Sequence, residues 1–266
     1  MSPIKAVVLD WAGTTVDHGS LAPVGVFVEL FRREGVPVSM EIARGPMGVH
    51  KRDHIKQVIE LPEVTARWTA TKGTPPTDAD IDRMYAAATP MQIEVLPHYS
   101  DLIDGLLATV TALRAKGIRI GSTSGYNREM LDVVEKLAAA KGYTPDCAIA
   151  ASEVPQGRPA PYLNWRAAER MGAWPASACV AVGDTLVDVQ AGRTAGFWSV
   201  GIARTGNMVG VNAADWATLP VAEQQARLTR ARAALTAAGA HLVIDTIADL
   251  PAAIEALELR AASQEA

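Results

Sequence analysis

The chain has 266 residues, of which 49% are hydrophobic and 20% charged, and its formal net charge is −4. This length and composition are typical of a globular protein with a sizeable core, and they exclude extensive disorder away from the ends. Because recognition of nucleic acid or of an anionic membrane needs a basic surface, neither is expected as a partner.

The start of the chain and its cysteines predict the compartment. Residues 1–10 lack the basic and apolar segments of a signal peptide, and the chain has no run of about 18 apolar residues. Cys147 and Cys179 lie on apolar, strand-like runs without CxxC spacing, so we expect them to be reduced core residues. We therefore expect a cytoplasmic protein that does not span a membrane.

The first predicted element is a strand over residues 4–9, which ends on an aspartate. Asp10 is followed by a turn that contains Ala12, Gly13 and Thr14. An apolar strand that delivers a single carboxylate into a loop is typical either of an acid used in chemistry or of a helix cap.

Residues 20–96 interrupt the alternation that the rest of the chain shows. They contain no convincing strand, and helices are predicted at residues 22–34, 50–60, 62–71 and 77–96. We interpret this segment as a helical cap domain inserted after the first strand, with hinges near residues 19–23 and 96–100, where Gly, Pro and Ser gather. The first helix is apolar on nearly every side, which fits either burial within the insert or a contact between subunits.

Strands and helices alternate over the remainder. Strands are predicted at residues 118–123, 147–150, 179–182, 198–202 and 241–244. Ser100 and Asn127 are predicted to cap two of the intervening helices. The alternation predicts an α/β fold, in which residues 1–19 and 97–266 form a Rossmann-like core around a parallel sheet. Ligands of such sheets bind beyond the carboxyl ends of the strands.

Polar side chains follow several of these strands and would meet at one edge of the sheet. They are Asp10, Ser124, Arg158, Asp184 and Asp188. Acids gathered in this way repel one another unless a cation lies between them, and oxygen ligands favour Mg²⁺. Arg158, Ser124 and backbone amides after Asp10 would then hold a phosphate group while one acid attacks phosphorus. The pattern predicts an aspartyl-phosphate intermediate.

The motifs DWAGTTVD, STSGY, GRPAP and VGDTLVD, in this order, resemble those of the haloacid dehalogenase superfamily. Together with RGPMGVHKRDHI in the insert, they resemble the phosphonatase family within it, over nearly the whole chain. The resemblance implies a Mg²⁺-dependent hydrolase that cleaves the carbon–phosphorus bond of phosphonoacetaldehyde, a small phosphonate, to acetaldehyde and phosphate. It also implies a homodimer joined through the caps.

The resemblance explains why an alanine stands close to the leading acid. Ala12 occupies the position where phosphatases of the superfamily carry a second aspartate that protonates the leaving group, and alanine cannot do so. Lys51 matches the lysine that converts the substrate aldehyde to an imine, which accepts the electrons of the broken bond as a Schiff base. His54 is a candidate to relay protons during imine formation.

The other roles are implied residue by residue. Asp10 matches the nucleophile, with its second oxygen on Mg²⁺. The backbone carbonyl of Ala12 and the carboxylate of Asp184 match further metal ligands, and Asp188 matches an acid that acts on the metal shell indirectly. Residues that match positions around the substrate are Met47, Ser124, Tyr126 and Arg158.

Three alternatives stay open on the sequence. A 2-haloacid dehalogenase also lacks the second aspartate but uses no metal, so the paired acids Asp184 and Asp188 count against it. Another phosphatase of the superfamily, or a non-catalytic binding protein on the same scaffold, would fit the core motifs. Retention of both Asp10 and Lys51 counts against the binding protein.

Overall fold

The structure, a computed structural model, describes residues 4–264 of the chain. Its first strand, β1 (Ala6–Leu9), is entirely buried and is followed by a tight turn. Five helices come next in the chain: α1 (Leu21–Arg33), α2 (Met40–Arg44), α3 (Lys51–Ile59), α4 (Pro62–Lys72) and α5 (Asp78–Val95). All the named elements that the structure describes between residues 21 and 95 are helices.

The rest of the chain alternates as predicted. The strands are β2 (Arg119–Ser124), β3 (Cys147–Ala150), β4 (Cys179–Gly183), β5 (Trp198–Ile202) and β6 (Leu242–Ile244). The helices are α6 (Leu106–Ala115), α7 (Arg128–Ala140), α8 (Tyr162–Met171), α9 (Leu186–Thr194), α10 (Ala213–Thr218), α11 (Val221–Ala237) and α12 (Leu250–Gln264).

The strands form one parallel sheet in the order β3-β2-β1-β4-β5-β6, which confirms the predicted α/β core. The side chains of β1 alternate between two apolar clusters. Val7 and Leu9 belong to the larger cluster, whereas Ala6 and Val8 belong to the cluster that packs under α8. A strand buried on both faces in this way is typical of a parallel sheet covered by helices on each side.

The register of the sheet decides where the site forms. Leu9 of β1 pairs with Ser122 of β2 on one side and with Val182 of β4 on the other. The three strands therefore end within two residues of one another, which places Asp10 after β1, Ser124 at the end of β2 and Asp184 after β4 at neighbouring carboxyl ends.

The helical insert has its own apolar core. In α1, the side chains of Val24, Phe27, Leu30 and Phe31 are buried against the other insert helices. Of the two interpretations of this apolar helix, the structure therefore supports burial within the insert. The short helix α2 was not predicted, because five residues are too few to show a helical period. The domain boundaries near residues 20 and 96 stay a prediction.

The predicted cap at Ser100 is wrong. Helix α6 begins at Leu106, after Gly105 in the left-handed region at φ 87°. The Ser100 hydroxyl instead donates to the carbonyl of Leu96, and the amide of Ile103 donates to the carbonyl of Thr15. The hydrogen bond between Ile103 and the turn after β1 thus keeps residue 103 outside the helix, and α6 begins later in the chain than predicted. Asn127, by contrast, is the N-cap of α7 and accepts a hydrogen bond from the amide of Met130, as predicted.

Cys179 is fully buried and Cys147 partly buried, and both thiols are free. Within the described residues, none of the helices combines the length and the apolar character that a membrane crossing requires.

Candidate active site

A small cavity of about 20 Å³ lies between the carboxyl ends of the strands and the insert. Most of the predicted site residues line it, namely Asp10, Ala12, Met47, Lys51, Ser124, Tyr126, Arg158 and Asp184. A cavity of this size has room for little more than one water molecule. The structure is therefore that of a closed site, which must open to admit a substrate.

Three buried carboxylates form the floor of the site. Oxygen atoms of Asp10, Asp184 and Asp188 all lie within 4.8 Å of one another. Gly13 allows this close approach, because it adopts φ 83° and a Cβ atom there would lie 2.2 Å from Oδ2 of Asp184. The sequence prediction that these acids converge is confirmed.

Arg158 is the cation beside these acids. Its Nη1 atom lies 2.7 Å from Oδ1 of Asp10 and 2.6 Å from Oδ1 of Asp188. Its Nη2 atom donates to the hydroxyl of Thr123 at 2.7 Å and to the Thr123 carbonyl at 3.0 Å. Thr123, at the end of β2, therefore orients the guanidinium toward the acids.

The charge balance favours a further cation. The pKa of Asp10 is raised to about 7, chiefly by burial; Arg158 opposes this shift and the carboxylate of Asp188 adds to it. Burial and the neighbouring carboxylates of Asp10 and Asp188 also hold the pKa of Asp184 well above its ordinary value. Its Oδ1 atom is buried without a hydrogen-bond partner. A divalent ion with oxygen ligands fits this donor set, because it would neutralise the acids and take the free oxygen.

Asp188 differs from Asp184 in that hydrogen bonds and an ion pair engage both of its carboxylate oxygens. Its Oδ2 accepts hydrogen bonds from the backbone and side chain of Thr185, in a capping box at the start of α9. Its Oδ1 pairs with Arg158. Both oxygens are thus engaged, which fits the predicted indirect role better than direct ligation.

Ser124 and Tyr126 form one wall of the cavity. The Ser124 Oγ atom accepts a hydrogen bond from the amide of Tyr126 at 3.0 Å, which leaves its own hydrogen free to donate. Burial holds the pKa of the Tyr126 phenol well above its ordinary value, and the carboxylates of Asp17 and Asp10 add to this effect. Both hydroxyls are therefore available as donors at neutral pH.

Lys51 enters the cavity from the insert. It is the first residue of α3 and only 4% exposed. Its Nζ atom lies 4.9 Å from the ring centroid of Tyr126 and 5.7 Å from that of Phe27. Burial lowers the pKa of the amine to about 8, although Asp10 opposes the shift. A substantial share of the amine is therefore neutral, and nucleophilic, near physiological pH.

The structure does not bring His54 into the cavity. Its ring stacks on Phe27 with a centroid separation of 3.7 Å, and its Nε2 atom bonds the carbonyl of Ala43. Burial holds the pKa of His54 well below its ordinary value, so the ring stays neutral. It lies one turn after Lys51 on α3 and packs behind the lysine.

Some residues of this region were missed by the sequence analysis. Gly48 and Gly125 allow the insert to approach the core, because a Cβ atom at Gly48 would lie 2.4 Å from Oγ1 of Thr185, and one at Gly125 would lie 2.5 Å from the carbonyl of Val49. Asn207 donates its backbone N–H to Oδ2 of Asp184 at 2.7 Å. No local pattern marks Asn207, whereas the Thr185 and Asp188 spacing is a recognisable capping box.

Comparisons with known proteins identify the family to which the chain is similar. The family model for haloacid dehalogenase-like hydrolases matches residues 4–196, and a second, HAD-hydrolase-like model matches residues 156–250. The phosphonoacetaldehyde hydrolase of Nitratidesulfovibrio vulgaris is 44% identical over 98% of this chain and 93% of its own length. That of Paraburkholderia xenovorans is 43% identical over 100% and 99%. The crystal structure of a phosphonoacetaldehyde hydrolase-like protein from Oleispira antarctica has a TM-score of 0.95 at 38% identity, over 97% of this chain and 94% of its own.

Proposed function

The chain belongs to the haloacid dehalogenase-like hydrolases and, within them, to the phosphonoacetaldehyde hydrolases, and from this premise we propose that it hydrolyses phosphonoacetaldehyde to acetaldehyde and phosphate. One observation carries the proposal. The amine of Lys51 and the carboxylate of Asp10 line the same closed cavity, next to Ala12. A carbon–phosphorus bond needs an electron sink on carbon and a nucleophile at phosphorus, and these two groups provide both.

The insert supplies the electron sink. The neutral amine of Lys51 adds to the substrate aldehyde, loss of water leaves an imine, and a proton taken up by its nitrogen gives the iminium. The low pKa of the lysine, about 8, favours this addition because a larger fraction of the amine is unprotonated near neutral pH than in a solvated lysine. No acid is needed at position 12, since the departing carbon is stabilised as an enamine and not as an oxyanion.

The core supplies the nucleophile. Asp10 attacks phosphorus, the carbon–phosphorus bond breaks, and its electron pair moves into the iminium to form the enamine. Arg158 and Ser124 hold the phosphonate oxygens during this step. Protonation and hydrolysis of the enamine release acetaldehyde and regenerate Lys51. Water then hydrolyses the aspartyl-phosphate, which releases phosphate and restores Asp10.

We assign the metal position to the carboxylates of Asp10 and Asp184 and to the backbone carbonyl of Ala12, with Asp188 acting through Arg158 and Thr185. Oxygen ligands and buried acids favour Mg²⁺. A bound Mg²⁺ would supply positive charge that offsets the acids and the phosphonate. The same charge would favour the ionised form of Asp10, which a nucleophile requires.

The direct experiment is phosphate release from phosphonoacetaldehyde by the purified protein, with Mg²⁺ and with EDTA. We expect turnover with Mg²⁺ and loss of turnover with EDTA. Chloride release from 2-chloropropionate, measured in parallel, tests the dehalogenase alternative. Metal-independent chloride release without phosphate release would replace the proposal with that alternative.

The predicted homodimer through the insert stays a prediction, and so does the cytoplasmic location. Light scattering at micromolar concentration tests the first, for which a monomer mass would be the contrary result.

A further inference from the structure

Arg44, on the short helix α2 of the insert, makes an unusual set of contacts with the core. Its Nη1 atom donates to the carbonyl of Gly19 at 3.0 Å and to Oδ1 of Asn207 at 2.9 Å. Its Nη2 atom donates to the carbonyl of Gly210 at 3.1 Å. One guanidinium thus joins the insert, the chain segment that leads into it, and the core loop over residues 207–210.

Gly210 and Asn207, in the core loop, both fit closely around the Arg44 side chain. Gly210 adopts φ 68°, and a Cβ atom there would lie 2.9 Å from Cζ of Arg44, so any side chain would displace the guanidinium. Asn207 is only 7% exposed, and its Nδ2 atom donates back to the Arg44 carbonyl at 3.4 Å. Arg44 and Asn207 therefore bond each other in both directions, since each donates a hydrogen bond to an oxygen of the other.

Asn207 connects this contact to the metal position. Its backbone N–H donates to Oδ2 of Asp184 at 2.7 Å, which leaves Oδ1 of the same carboxylate free for a cation. The neighbouring Gly206 also packs tightly on this acid, since a Cβ atom there would lie 2.5 Å from Cβ of Asp184. The loop that Arg44 holds is therefore the loop that orients Asp184.

We propose that Arg44 is a positioning residue for the metal site, which acts through Asn207 to hold Asp184 in its ligating orientation. The affinity of the core for its cation then depends on the docked insert. The inference deepens the proposed function and rests on it for the identity of the metal site. Partners that orient a metal-ligating carboxylate typically change metal affinity by about 10- to 100-fold when they are removed.

The test measures metal binding directly, by calorimetric titration of the EDTA-treated protein with MgCl₂. We expect Arg44→Gln to raise the Mg²⁺ dissociation constant about 10- to 100-fold. The Mg²⁺ concentration for half-maximal phosphate release should rise by the same factor, while KM for phosphonoacetaldehyde at saturating Mg²⁺ stays within about threefold. Arg52→Gln is the matched control, because Arg52 lies on α3 in exposed ion pairs with Asp82 and Asp78. Its metal affinity should equal that of the parent chain.

Asn207→Ala separates positioning from folding. It removes the side-chain acceptor that Asn207 offers to the Arg44 guanidinium and keeps the backbone N–H that holds Asp184. We expect the same loss of Mg²⁺ affinity, and no further loss in the double variant, because both changes break one connection. If Arg44→Gln does not fold, Asn207→Ala alone decides the matter.

Parent-like Mg²⁺ affinity in a folded Arg44→Gln or Asn207→Ala protein would overturn the inference. So would losses that simply add in the double variant. A parent chain that binds Mg²⁺ with the expected dependence on Arg44, but releases no phosphate from phosphonoacetaldehyde, would instead contradict the proposed substrate and leave the role of Arg44 in place.

Discussion

The two sides of the cavity differ in the groups that surround their ionisable side chains. On the core side, the carboxylates of Asp10 and Asp188 each pair with the Arg158 guanidinium at 2.6 to 2.7 Å. On the insert side, the Lys51 amine lies over the aromatic rings of Tyr126 and Phe27. Burial is the largest influence on the pKa values of Asp10, Asp184 and Lys51 alike. The two sides differ in their neighbours, because the core acids lie against a paired guanidinium and one another, whereas the Lys51 amine lies against aromatic rings.

This difference suits the core and the insert to different parts of the proposed reaction. A cluster of acids with one guanidinium can hold a metal and a phosphoryl group whatever the leaving group is. A desolvated amine, by contrast, serves only substrates that can form an imine. In the proposed mechanism, the core determines the reaction at phosphorus and the insert determines which carbon is released. The experiments below change one side at a time.

Asp10→Asn removes the chemistry of the core side and should have the largest effect. The amide keeps the shape of the carboxylate but cannot attack phosphorus, so phosphate release should fall by more than about 10⁴-fold. Borohydride should still trap the imine on Lys51 in this variant, because the insert side is unchanged. Measurable turnover by the variant would refute the nucleophile assignment.

Lys51→Arg is the matching change on the insert side. Arginine keeps the positive charge but forms no imine, so turnover of phosphonoacetaldehyde should fall by about 10³-fold or more. Mass spectrometry after borohydride reduction with acetaldehyde should place the adduct of the parent protein on Lys51. An adduct on another lysine, or parent-like turnover by the variant, would show that the Schiff-base mechanism is wrong.

Asp184→Ala weakens the metal position and leaves both reactive groups in place. We expect about a 10²-fold loss of phosphate release, of which excess Mg²⁺ restores a part. Titration of the rate with MgCl₂ measures this. Full activity of the parent protein in EDTA would contradict the metal assignment and would sharpen the case for the dehalogenase alternative.

Gly48→Ala tests how closely the two sides must approach. A Cβ atom there would lie 2.4 Å from Oγ1 of Thr185, which is held in a capping box, so closure of the insert should be hindered. We expect kcat/KM to fall about tenfold, equivalent to roughly 1.4 kcal/mol. Gly73→Ala is the control, because Gly73 has a similar φ of 80° but no heavy atom within 4 Å of the added Cβ. Equal kcat/KM for the two variants would show that strain alone, and not closure, matters.

The smallest expected effect is on the pH dependence of imine formation by Lys51. Because burial lowers the pKa of Lys51 from 10.5 to about 8, the neutral fraction of the amine rises with pH up to about 8 and then levels off. Between pH 8 and 9, the rate of trapping with acetaldehyde and cyanoborohydride should rise less than about twofold, while that of N-acetyl-lysine in solution rises almost tenfold. A protein profile that follows the free amino acid would mean that Lys51 is not desolvated.

Much of the core side could be predicted from local sequence. Apolar runs predicted the strands, and parallel strands bring their carboxyl ends together, so Asp10 and Asp184 could be placed in one site before any coordinates were known. The insert side was less predictable. Lys51 is an unremarkable lysine on a polar helix, and only its family context singled it out. Its burial and its low pKa depend on Phe27 and Tyr126, which come from different parts of the chain.

The sequence by itself determined the alternation of strands and helices, the helical insert and the residues at the strand ends, because each of these depends on neighbours within a few positions. Tertiary structure decided the closure of the cavity, the late start of α6 and the link from Arg44 through Asn207 to Asp184. Arg44 and Asn207 are 163 positions apart, and their bond forms only because the insert docks on the core. The periodicity of apolar residues indicates which face of a segment is buried and which is exposed to water. It carries no information about which distant polar group accepts or donates a hydrogen bond.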